Sequence, residues 1–151
     1  MNLKVVNAEI NEYLRGCLHE NAADFMLKKH PYNEVSNLEL TQQLVGLQKA
    51  KNKFPWLFKY QNIIYPPKVN LEQTSSEVTA IYKSQLLDID TMIDITGGFG
   101  IDVSAFAKAC TTTTHVEFSS SLQPYAQRSF LVQGISTKSF QADGIEFLKQ
   151  S

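Results

Sequence analysis

Between positions 94 and 100 the chain reads Asp-Ile-Thr-Gly-Gly-Phe-Gly. That segment is too rich in glycine for a helix or a strand. It suits a turn where a ligand approaches backbone that no Cβ obstructs. The turn follows a short β-type run, TMIDI, and precedes apolar residues at helical spacing, Val103, Phe106, Ala107 and Cys110. A second β-type run, TTTTHVEF, contains Glu117, 23 positions after Asp94, and a third, Ser136–Gln141, is followed by Asp143. In a parallel α/β sheet, ligands bind outside the carboxyl ends of the strands. The helix after the turn adds unpaired N–H groups and the positive end of its dipole. A carboxylate at Glu117 can accept both hydroxyls of a ribose, and one at Asp143 can meet an adenine amino group. Taken singly, Asp94 and Glu117 are ordinary strand-end acids. Asp94, Thr96, Gly97, Gly98, Gly100, Glu117 and Asp143 together form a nucleoside-binding constellation.

Charge narrows the nucleoside. A dinucleotide fingerprint beginning at Gly98 would put Val103 at its third glycine, where close helix packing wants glycine or alanine. Asp94 would also repel a pyrophosphate, since like charges oppose. The same acid suits a cationic ligand with an amino group. S-adenosylmethionine (SAM) carries a sulfonium and an amino group and no phosphate, so it is favoured over a nicotinamide dinucleotide. The latter stays as the weaker alternative. His19, His30 and His115 show no metal-ligand spacing and no nucleophile partner, and His115, inside a strand, reads as structural. Cys17 and Cys110 lie outside any CxxC pair. That excludes a disulfide framework or zinc ribbon and suits a reducing cytoplasm.

The elements that must position these residues follow from punctuation and period. Asn7 caps a helix to about Arg15, and AADFMLKKH forms another that stops before Pro31. Ser36 and Glu39 have capping-box spacing. Leu40, Leu44 and Leu47 then mark one helix face, and that helix ends before Pro55. NIIYPPK is a rigid extended connector, since its prolines remove donors. Thr74 with Glu77 opens a helix running to about Leu87. From Thr91 the order is β-α-β-α-β-α with short connections, which means a parallel sheet with helices on its faces. Pro124 sits in the first turn of the helix SLQPYAQRSFLVQG, and Gly134 stops it. The fold class is therefore α/β. Its parts are a helical N-terminal region at 1–60, a connector and capping helix at 61–90, and the first half of a Rossmann-like domain at 91–151.

Composition sets limits. The 151 residues amount to about one domain, with 43% hydrophobic and 19% charged residues and a net charge of −1, which is globular usage. No apolar run approaches the ~18 residues of a membrane helix, and the N-terminus lacks a secretory h-region. Residues 1–70 carry nine Lys/Arg against six Asp/Glu, a net of +3, and residues 71–151 carry five against nine, a net of −4. Lys49, Lys51, Lys53, Lys59 and Lys68 are interleaved with Phe54, Trp56, Phe58, Tyr60 and Tyr65. Lysines can neutralise phosphates and aromatic faces can stack on bases, which suits an RNA surface. The plainer alternative is aromatics packed inward beneath solvated lysines.

The segment Ile93-Asp94-Ile95-Thr96-Gly97-Gly98-Phe99-Gly100 resembles motif I of class I SAM-dependent methyltransferases, with Thr96 in place of the first glycine of (D/E)xGxGxG. NIIYPPKVNLEQTSSEVTAIYKSQLL followed by DITGGFGIDVSAFA is similar to a bacterial group of these enzymes. That group carries an N-terminal helical region and, later in the chain, a THUMP-like, RNA-binding type of domain. The segment is also similar to RNA guanine-N2 methyltransferases and the trimethylguanosine-synthase type. The resemblance covers about residues 61–149. It implies that Asp94 holds the SAM amino group and that the backbone at Gly97, Gly98 and Gly100 passes along the methionine and ribose. It further implies Glu117 on the ribose hydroxyls, Asp143 on the adenine amino group and Asp102 orienting the turn. Gln73, Ser75 and Ser76 would close over the cofactor or cap the helix after them.

Base-modifying relatives bind the target amino group with an (N/D)PP(F/Y/W)-type segment after the fourth strand. None follows Asp143, and Pro66-Pro67 precedes the motif. Only 51 residues follow Gly100, about half of what a full sheet needs at roughly 30 or more residues per βαβ unit. The expectation is a fragment with its catalytic loop beyond Ser151, inactive alone. Its first strand would be an exposed apolar edge, and such edges recruit partners, so the fragment should self-associate. The alternative from another class is a non-enzymatic nucleoside- or RNA-binding or assembly domain that retains a degenerate nucleoside site.

Overall fold

The computed structural model describes residues 1–86 and 88–150, so the expected end of a helix at Leu87 lies outside the described residues. The chain forms two compact units, Met1–Glu72 and Gln73 onward. Among the described residues no helix is long and apolar enough to cross a membrane.

The first unit is helical. A short 3-10 turn, Leu3–Val6, leads into α1 (Ala8–Gly16), α2 (Ala22–Leu27), α3 (Asn37–Lys53), α4 (Pro55–Phe58) and α5 (Lys68–Gln73). Side chains satisfy the orphan N–H groups at the helix starts. Asn7 accepts from the Ile10 N–H at 2.7 Å and Asn21 from Ala23 at 2.8 Å. Ser36 and Glu39 form the reciprocal capping box. Such a cap contributes about 1 kcal/mol. Leu40, Leu44, Leu47 and Ala50 lie on the buried face of α3, and Phe25, Phe54, Leu57 and Tyr65 complete the core.

The connector is held by side-chain amides. Buried Gln43 donates to the Ile63 carbonyl at 2.7 Å and accepts from the Tyr65 N–H at 3.1 Å, while Gln42 donates to the Tyr65 carbonyl at 2.8 Å. Pro66 and Pro67 have no N–H to offer a strand partner, and the glutamines of α3 pair the backbone instead.

The second unit is α/β. It contains α6 (Glu77–Leu86), β1 (Thr91–Asp94), α7 (Ile101–Phe106), β2 (Thr112–Glu117), α8 (Gln123–Gln133), β3 (Lys138–Gln141) and α9 (Gly144–Lys149). The three strands are parallel in the order β1-β2-β3, with Asp94 opposite His115 and Glu117 opposite Gln141. Helix α6 packs on α7. Val103 of α7 and Ala126 and Phe130 of α8 form a core cluster with Met92 and Ile135 against it. Central β2 buries four consecutive residues, Thr113 to Val116. A middle strand covered on both faces has no reason to alternate.

Three local expectations change. The N-cap of α6 is Ser76 and not Thr74: its Oγ accepts from the Thr79 N–H at 3.2 Å and its carbonyl from Ala80 at 2.9 Å. Helix α7 stops at Phe106, its end tightened by the Lys108 N–H on the Ala105 carbonyl, and half-buried Cys110 lies beyond it. Strand β3 starts at Lys138 because the Ile135 N–H turns back to the Phe130 carbonyl, and the Thr137 hydroxyl bonds the Thr113 carbonyl where a ladder amide would.

Candidate ligand site at the strand ends

Asp94 is the last residue of β1 and Glu117 the last of β2. Asp143 follows β3 by two residues as the N-cap of α9. All three acids therefore stand at the carboxyl end of the sheet, where the β1–α7 turn crosses. Gly144 packs so closely on the Ile95 carbonyl that a Cβ there would collide with it.

The turn is tied down on several sides. Asp94 Oδ1 accepts from the Thr96 N–H at 3.0 Å and from its hydroxyl at 3.3 Å. The Gly97 N–H bonds the Val116 carbonyl, and the Gly100 N–H bonds the Gly97 carbonyl. Glu117 uses both oxygens, Oε2 accepting from the Gly98 N–H at 2.8 Å and Oε1 from Ser119 at 2.7 Å. A carboxylate offers about four lone-pair sites, so each oxygen keeps acceptor capacity. Gly98 and Gly100 have φ of +53° and +79°, the left-handed region that L side chains avoid. At Gly100 a Cβ would also strike the Phe130 ring, and at Gly97 the His115 ring. At Gly98 the nearest atom to a built Cβ is the Thr96 carbonyl oxygen at 3.7 Å, so that position opens outward.

His115 lies beneath the turn, fully buried. Its Nε2 is 3.1 Å from the Gly98 carbonyl and its Nδ1 is 3.1 Å from Ser139 Oγ, to which Gln123 donates at 3.4 Å. Burial pushes the imidazole below its usual range, against the Gly98 carbonyl and the Asp94 and Glu117 carboxylates, which favour the proton. The sequence suggested a structural histidine but not this contact. Its one signal is the two-residue spacing from Glu117, which puts both side chains on one face of β2.

Asp143 spends Oδ1 on the Ile145 and Glu146 N–H groups at 2.9 and 3.1 Å, so it caps α9. Asp102, in the first turn of α7, accepts from Ser75 Oγ at 2.8 Å and pairs with Lys83 at 2.6 Å. Lys83, absent from the sequence expectations, thereby joins α6 to the start of α7. Ser76 caps α6.

The five lysines belong to the first unit. Lys49 and Lys68 pair with Glu72 at 3.2 and 3.7 Å. Lys53 bonds the Leu71 and Glu72 carbonyls at 2.8 and 3.0 Å. Its partial burial lowers its proton affinity, while the Lys49 ammonium lowers that of Glu72. Lys51, Lys59 and Lys68 are exposed. Phe54, Trp56 and Tyr65 are buried, Arg15 covers Phe58, and Tyr60 is 37% exposed. The aromatics that interleave the lysines thus mostly face the core.

No family model matches the chain, and no curated protein matches its sequence. Among solved structures, the chain is similar to a crystal structure from Porphyromonas gingivalis W83, described as a "putative methyltransferase". The two are 20% identical with a TM-score of 0.77, and the match covers 99% of this chain and 38% of the other. At that identity the likeness establishes a shared fold. The chain spans about 38% of the length of that structure.

Proposed function

We propose that this chain is the SAM-binding part of a methyltransferase that acts on RNA, at a base amino group. The observation that carries the proposal is the placement of Asp94, Glu117 and Asp143 at three adjacent strand ends around a glycine turn that opens outward at Gly98. The residues fit SAM by their chemistry. The acids accept hydrogen bonds from hydroxyls and amino groups, and the seven site residues include no cation that would draw a phosphate. The shared fold with a protein described as a "putative methyltransferase" supports the same reading. Asp94 would hold the SAM amino group, Glu117 the ribose through its spare lone pairs, and Asp143 the adenine amino group. Bound SAM supplies a methyl group already activated by its sulfonium, leaving the protein mainly to align the acceptor. The RNA part rests on Lys51, Lys59 and Lys68, the exposed members of the basic stretch, with half-buried Lys49 beside them.

Calorimetry with SAM and with NAD tests the ligand. SAM binding is expected, and binding of NAD without SAM would overturn the assignment. Transfer of labelled methyl from SAM to undermethylated RNA by the complete protein tests the substrate. Label reaching only protein or small metabolites would remove RNA from the proposal.

A further inference from the structure

We propose that His115 is a positioning residue for this site: its imidazole holds the Gly98 carbonyl, so that Gly98 keeps its left-handed backbone and Glu117 keeps its bearing on the open face of the turn. The inference rests on the strand-end ligand reading and adds to it a residue that does not itself reach the ligand.

His115 and Glu117, two apart on β2, pin the two polar groups of one glycine. Glu117 Oε2 takes the Gly98 N–H at 2.8 Å, and His115 Nε2 meets the Gly98 carbonyl at 3.1 Å. A carbonyl only accepts, so Nε2 carries the proton. Nδ1 is then the acceptor, and Ser139 Oγ donates to it while accepting from Gln123. The chain Gln123–Ser139–His115–Gly98 thus fixes a neutral ring in one tautomer. The ring is wholly buried and lies edge-on to Phe130, with centroids 5.2 Å apart at 76°. Packing alone does not call for a histidine here, because an apolar side chain would fill the space without a buried polar ring to satisfy. What the imidazole adds is the N–H on the Gly98 carbonyl. A Cβ built at Gly98 would meet nothing nearer than the Thr96 carbonyl oxygen at 3.7 Å, so no clash holds its conformation, and the two hydrogen bonds act on its own polar groups.

The test compares His115→Gln, whose amide can place an N–H near the Nε2 position, with His115→Met, which has no donor. Two readouts are taken on the full chain: hydrogen exchange of the Gly98 amide without ligand, and SAM affinity by calorimetry. One hydrogen bond contributes about 0.5–1.5 kcal/mol, so His115→Met should speed Gly98 exchange and weaken SAM binding each by about tenfold. His115→Gln should stay within about threefold of the unsubstituted protein, as one retained hydrogen bond predicts. A folded His115→Met protein with unchanged Gly98 exchange overturns the proposal, as does His115→Gln behaving no better than His115→Met. If His115→Met does not fold, Ser139→Ala decides. It leaves the ring in place but frees its tautomer, and should speed Gly98 exchange by about threefold, part of one hydrogen bond. Unchanged exchange in that variant refutes the chain. If the unsubstituted protein binds no SAM, the ligand reading fails while the exchange arm still decides the role of His115.

Discussion

Three glycines in one turn should fail for different reasons, and their substitution by alanine separates them. At Gly98 φ is +53° and a Cβ would meet nothing nearer than 3.7 Å. The cost of Gly98→Ala is therefore conformational. An L residue in the left-handed region costs about 1–2 kcal/mol, and stiffening the unfolded chain returns about 0.4–1 kcal/mol. The net is about 1 kcal/mol, roughly a fivefold change in the folded-to-unfolded ratio. Gly100→Ala carries the same backbone cost at φ +79° and adds a collision with buried Phe130. Overpacking adds typically 1–3 kcal/mol, for a total of about 2–4 kcal/mol. Gly97→Ala meets the His115 ring and should cost about 1–3 kcal/mol by packing alone. Urea unfolding followed by circular dichroism reads the order. Fluorescence of Trp56 would not, because that residue belongs to the first unit. Equal losses at Gly98 and Gly100 would show that the collision with Phe130 adds nothing to the backbone cost, and a Gly98→Ala loss above about 3 kcal/mol would show that φ alone does not set the cost at that position.

Three further outcomes are expected. Burial depresses the His115 proton affinity in the folded state, although Asp94 and Glu117 oppose the shift, so the unfolded chain binds more protons near its unfolded pKa of about 6.5. Stability of the second unit should then be full above that pH and fall as pH drops through it. A urea midpoint that is flat between pH 8 and 5.5, or rises on acidification, would contradict this. Gln43→Leu removes the amide that bonds the buried Ile63 carbonyl and the Tyr65 N–H, and should cost about 2–4 kcal/mol in chemical unfolding; a loss below about 0.5 kcal/mol would show that the connector does not depend on the amide. Self-association through β1 should appear in light scattering, since Ile93 is 38% exposed on a strand that among the described residues pairs only with β2, and free strand edges recruit partners. A monodisperse monomer at high concentration would count against it.

Legibility in the sequence tracked how local each signal is. Asn7, Ser36 with Glu39, Pro124 and Gly134 act within one helical turn, and all four sit where their chemistry predicts. Thr74 with Glu77 has the same spacing as a true box, but the helix begins at Glu77, so the residue before it, Ser76, takes the cap through the Thr79 N–H. The basic stretch was ambiguous for another reason. Composition shows lysines and aromatics side by side, but whether Phe54 and Tyr65 face solvent or core depends on what packs over them, and both are buried.

By itself the sequence determined the parallel β-α-β-α-β order, the glycine turn and the acids that end its strands, because period, punctuation and short connections are properties of neighbours along the chain. The tertiary structure alone decided that Gly98 is held from both sides by β2. His115 lies 17 residues from Gly98 and Glu117 lies 19. Those bonds exist only in one register of β1 on β2, since a slip of one residue would turn both side chains to the other face. The same holds for Gln43 and Tyr65, 22 residues apart. No spacing rule reaches that far, because the partners are chosen by the packing of whole elements.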